Sequence, residues 1–165
     1  MSQADIDRFR RRCAQFRALA IFMVVSVGAL LVLIHIISPL AFWHRGEPDY
    51  PSAFYQALIM GLPAACYLFG VWSIGQAMGQ LAKGRLIQPI LADALRRVGT
   101  ALWLGGVLSV FVVTNVLRVI GLGNGGYLHF DVPGMTLGMI GAALFLLGRV
   151  AEQAGRVQAE LDEMI

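Results

Sequence analysis

Four stretches of the chain are apolar for longer than the core of a globular domain needs, and the charged residues gather between them. The first, within residues 18–42, is bracketed by Arg17 and Arg45 and interrupted only by Ser26, His35 and Ser38. The second lies inside the charge-free run 51–82, the third covers 98–117, and the fourth and shortest covers 132–148. A helix rises about 1.5 Å per residue, so about 20 residues cross roughly 30 Å of hydrocarbon, where the backbone must satisfy its own hydrogen bonds. The pattern predicts an all-α fold, an integral membrane four-helix bundle forming one domain over 1–165. Its spans are expected at about 18–42, 54–79, 98–118 and 132–149. Arg149 extends the last of these by carrying its charged head to the interface.

Outside the spans, three segments carry apolar residues at steps of three and four, the spacing of one helix face. In 5–17 these are Ile6, Phe9, Cys13 and Phe16, with arginines on the other faces. In 86–97, after a turn at Lys83, Gly84 and Arg85, they are Leu86, Ile87, Ile90, Leu91, Ala94 and Leu95, with Pro89 suited to a first helical turn. In 150–164 they are Val150, Ala154, Val157, Leu161 and Met164. The first segment is expected to lie on anionic lipid or to recruit a partner helix. The second should be a short interfacial helix feeding the third span. The third, net acidic through Glu152, Glu160, Asp162 and Glu163, has the basic N-terminal helix or a cytoplasmic protein as its expected partner. Candidate docking positions are therefore Phe9, Phe16, Leu86, Ile90, Val157 and Leu161.

Composition reinforces the membrane reading, because 58% hydrophobic and 14% charged residues depart far from the roughly 25% charged of soluble domains. Charge then orients the spans. With the N-terminus inside, eleven Lys and Arg residues fall on the inner side, against Arg45 and Arg118 on the outer. The chain is thus expected in a bacterial inner (cytoplasmic) membrane, multi-pass, with both termini cytoplasmic. Its net charge of +3 is a topology signal, and direct nucleic-acid binding is not expected. The first apolar stretch is too long for a signal peptide and is read as an uncleaved span. Cys13, in the N-terminal segment, and Cys66, near the middle of the second span, are expected to be unpaired small fillers.

The predicted spans hold no internal Asp, Glu, Lys or Arg, which argues against a proton-coupled pump, a voltage sensor or a carboxylate enzyme. The candidate polar site comprises His35, near the outer end of the first span, with Asn115 and Arg118 on one face of the third. Arg118 is expected to reach lipid phosphate or to pair with Asp131. His44 and His129 stand in the outer loops, at no spacing that requires a metal. Pro63 removes a hydrogen bond from the second span and is expected to kink it. Gly75 with Gly79, and Gly134 with Gly138, followed by Gly141, Ala142 and Gly148, allow close helix approach within the chain or in a homo-oligomer. The string Gly121-Leu122-Gly123-Asn124-Gly125-Gly126 matches GxGxxG, but it follows a membrane span instead of a strand. It reads as a flexible turn, with a small hairpin through 127–130. No nucleophile with a base, phosphate cradle or ligand cluster appears, so neither an enzyme, a cofactor nor a metal is expected.

The runs Gly84-Arg85-Leu86-Ile87 and Leu95-Arg96-Arg97-Val98-Gly99, with the terminal Ala159-Glu160-Leu161-Asp162-Glu163-Met164-Ile165, resemble a family of small four-span bacterial membrane proteins of unknown function. Members of that family are often encoded beside an Xre-type helix-turn-helix regulator, and the resemblance covers nearly the whole chain. It implies a four-span fold and assigns no catalytic residue. With the lipid bilayer as its surroundings, the chain is expected to be a non-catalytic regulatory or scaffold protein docking a partner at its cytoplasmic face. The alternative is a small oligomeric transporter or channel.

Overall fold

A computed structural model describes residues 3–38, 40–41, 50–83, 87–121 and 131–163. Helix α1 runs Gln3–Val32 and continues through a π turn, Leu33–Ile37. Helix α2 is Tyr50–Ala82. Helix α3, Ile87–Val107, passes through a second π turn, Leu108–Val112, into α4, Val113–Val119. Helix α5 is Val132–Glu163. The predicted positions Leu86, His44, His129 and Met164, and the hairpin through 127–130, lie outside the described residues.

Four helical rods are long and apolar enough to cross a membrane: Arg8–Ile37, Phe54–Ala82, Pro89–Val119 and Val132–Leu161. Large side chains along them point outward, with Phe22 at 68%, Met139 at 76% and Leu146 at 61% exposure, as lipid contact permits and water does not. The chain is therefore an all-α, four-helix, multi-pass membrane protein. At the end of α4, Gly121 takes φ +78° and its N–H donates to the Arg118 carbonyl, a left-handed cap that suits glycine. Asp131 opens α5, where its carbonyl accepts from the Met135 N–H and Pro133 occupies the first turn. Pro63 is buried within α2, which runs through it as one helix.

The helices pack in chain order: α1 against α2, α2 against α3, and α3 against α5, which is the most extensive contact. Among the described residues α1 and α5 do not meet, so the expected pairing of the two terminal segments does not occur within the chain. Neighbouring helices are antiparallel, since Gly79 faces Arg17 and Gly61 faces His35, while Gly70 faces Ala101 and Gly148 faces Ala92. Helix α1 forms one edge of the row, and only 6% of its most apolar window is buried, compared with 28% for the α3–α4 rod. Its buried residues are small, Cys13 and Ala20, and Ala20 packs against Gly75 of α2.

The amphipathic segments are not separate elements. Residues 87–97 belong to α3, continuous with the third span, where a separate interfacial helix is expected from the sequence. Residues 3–17 run straight into the first span as the start of α1, and 150–163 are the end of α5. In each case no proline stands at the junction with the span, so the backbone bonds propagate through.

Candidate functional site

The α3/α5 seam sets the geometry of one end of the molecule. Gly134, Gly141, Gly148 and Gly155 recur every seventh residue on α5, and Ala92, Gly99 and Gly106 do so on α3. This heptad keeps small residues on one side of each helix. A Cβ on Gly99 or Gly141 would collide with the backbone of the opposite helix. One on Gly106 would fall 2.6 Å from the Gly134 carbonyl oxygen, and one on Gly148 would fall 2.9 Å from the Arg96 nitrogen. The two backbones thus touch at three successive repeats of the heptad. Such contact stabilises helices in lipid, where there is no hydrophobic drive for association.

Gly155 breaks the sequence of contacts, because an added Cβ there would meet nothing within 4 Å. At this level α3 and α5 leave a groove of about 470 Å³ lined by Pro89, Ala92, Asp93, Arg96, Ala151, Glu152, Gly155 and Arg156. Its floor is small and its walls are charged. Glu152 lies 3.6 Å from Arg96 across the groove and 2.7 Å from Arg156 along α5. Asp93 lies 2.9 Å from Arg97 and 3.7 Å from Arg96. These side chains are 41–74% exposed, so each pair contributes at most about 1 kcal/mol and its partners can be exchanged.

Of the predicted docking positions, Phe9, Phe16, Val157 and Leu161 are exposed at 47–55%, on the ends of α1 and α5. Ile90 is buried at 9% and belongs to the helix packing, which withdraws it from any partner. Leu91, its neighbour, is exposed at 47%.

The opposite end of the bundle holds the polar residues. His35 sits in the first π turn, donating from Nδ1 to the Leu31 carbonyl at 3.1 Å, with its ring against Gly61. The second π turn contains Ser109, whose hydroxyl donates to the Asp131 carboxylate at 2.5 Å. Gly134 leaves space for both groups. Tyr67 packs its ring on Gly105, and its buried hydroxyl has no hydrogen-bond partner among the described residues. Asn115 donates to the Phe111 carbonyl at 2.7 Å, satisfying its own helix, and Arg118 one turn on is half-buried. The expected trio of His35, Asn115 and Arg118 thus divides between two helices. Ser109 joins this end because a π turn inserts an extra residue and re-aims the side chains beyond it, a change with no mark in composition. No group of three His, Cys, Asp or Glu is arranged to hold a metal among the described residues.

Fold and surface define a multi-pass helical membrane protein with a charged groove and two projecting helix ends on one side. No family model, no curated protein and no solved structure matches the chain.

Proposed function

We propose that the chain is a non-catalytic regulatory or scaffold protein of the inner membrane that docks a cytoplasmic protein where its helices project from the bilayer. The observation that carries this reading is the groove at Gly155. There the tightly packed α3/α5 seam stops short, leaving a small-residue floor between exposed charged walls. A partner helix or strand finds there both close backbone approach and exchangeable ion pairs. The eleven basic residues expected on the inner side support a cytoplasmic orientation for it.

Gly155→Leu tests the reading with little risk to the fold, because it fills the groove from a position where an added Cβ meets nothing within 4 Å. Photo-crosslinking from Ala151 in native membranes should capture a defined cytoplasmic protein in the wild type and lose it in Gly155→Leu. The same protein captured equally from both would refute docking in the groove. The transporter alternative makes a different prediction, solute flux in proteoliposomes that is unaffected by Gly155→Leu.

A further inference from the structure

The two ends of the chain are built as partners, yet they stand apart in the fold. Carried along the antiparallel helices, the facing pairs Arg17 with Gly79, Gly70 with Ala101 and Gly99 with Phe145 set a common height for all four rods. At the level of Arg17, α5 has reached about Val150. Beyond that level α1 continues through residues 3–16 and α5 through 151–163, each projecting roughly 20 Å at about 1.5 Å per residue. Helices α2 and α3 stop within two turns of it. Past Cys13 on α1 and past Gly155 on α5 the projecting ends lose their neighbours: Arg8 to Arg12 are exposed throughout, and so are Arg156 to Leu161.

Each projection presents exposed apolar residues. On α1 these are Phe9 at 47% and Phe16 at 52%, and on α5 Val150 at 60%, Val157 at 55% and Leu161 at 52%. The common height places Phe9 level with Val157 and Phe16 level with Val150. Charge is complementary as well. Residues 3–17 contain five Arg and two Asp, net +3, and residues 150–165 contain four carboxylates and one Arg, net −3. Within one chain α1 and α5 do not meet, being at opposite edges of the row.

We infer that the projecting end of α1 docks on the projecting end of α5 in a second copy of this chain. A twofold axis along the membrane normal sets two rows face to face in reversed order, bringing each α1 opposite the partner's α5. The interface is self-complementary and closes as a dimer. Phe9 packs against Val157, Phe16 against Val150, and the arginines of one copy face Glu160 and its neighbours in the other. Helix α1 extends unbroken from Gln3 into its span, so its basic end stands along the helix axis and is presented to α5. The inference rests on reading the projecting helix ends as docking elements, but it uses the α1/α5 seam and leaves the Gly155 groove open for a different protein.

The test uses the full chain carrying Cys13→Ala and Cys66→Ala, purified away from other proteins and reconstituted in lipid vesicles. One tagged copy carries Phe9→Cys and a differently tagged copy Val157→Cys, both substitutions at exposed positions. Oxidation should yield a dimer-sized species bearing both tags, because a disulfide requires Cα atoms within about 7 Å. Its yield should fall about tenfold when Glu160 and Asp162 become Arg, and should return when Arg8 and Arg12 of the other copy become Glu. Absence of the mixed-tag species overturns the inference. So does a monomer-sized crosslink when both cysteines share one chain, or a yield indifferent to charge reversal. Native mass spectrometry of the unmodified chain provides a second readout, with a dimer expected and a monomer alone contradicting it. The groove experiment is independent, since it reads a cytoplasmic protein and this one reads the chain with itself.

Discussion

At the residue scale the glycines of α5 are chemically identical and structurally unequal. Gly141 lies where a Cβ would enter the α3 backbone, while Gly155 has nothing within 4 Å, and neither does Gly28 on α1. Gly141→Ala should therefore destabilise the protein by about 1–3 kcal/mol through overpacking. Gly28→Ala should stabilise it by about 0.5–1 kcal/mol, since a helix favours Ala wherever space allows. Thermal unfolding in detergent, followed by helical circular dichroism, distinguishes the two, and equal effects would show that the seam does not hold α3 to α5. Ser109 allows a second comparison. Its hydroxyl donates to Asp131, so Ser109→Ala leaves that carboxylate short of a donor and should cost about 1–3 kcal/mol in the same assay. Thr136→Ala, which removes only a hydroxyl bonded to the carbonyl of its own helix, should cost less.

At the element scale, the charge pairs around Glu152 fix how the end of α5 leaves α3. Because these side chains are largely exposed, Glu152→Gln should lower stability by less than about 1 kcal/mol. It should instead loosen the region beyond Gly155, seen as faster amide hydrogen exchange confined to 155–163, with unchanged exchange there contradicting the role. Helix existence and approximate extent were legible in the sequence because hydropathy over about 20 residues is a strong signal. The seam was only half legible. Gly134, Gly138, Gly141 and Gly148 were identifiable as small residues, but Gly99 and Gly106 facing them depend on helix rotation, which no local pattern encodes. The amphipathic stripe at 86–97 was visible, yet Ile90 on it packs inward, because a helix entering a bundle spends its apolar face on neighbouring helices. The two π turns had no signature at all.

At the scale of the whole molecule, a row of helices in chain order leaves α1 and α5 as open edges. This explains why the first span buries so little and why both ends of the chain emerge on the same side. Four crossings require that much, and the distribution of Lys and Arg predicts that the side is cytoplasmic. The polar residues at the other end, His35 with Gly61 and Ser109 with Asp131, then serve helix contacts. The proposed docking uses the projecting ends, one basic and one acidic, and the groove between α3 and α5.

The most direct measurement is cysteine accessibility in sealed, right-side-out and inverted membrane vesicles, with a membrane-impermeant maleimide and a Cys13→Ala, Cys66→Ala background. Phe9→Cys, Ala151→Cys and Leu161→Cys should react only in inverted vesicles, where the cytoplasmic side is exposed, and Leu30→Cys and Met139→Cys in neither. Reaction of Phe9→Cys and Leu161→Cys from opposite sides, or of either one in right-side-out vesicles, would contradict a four-span protein that works through its cytoplasmic helix ends.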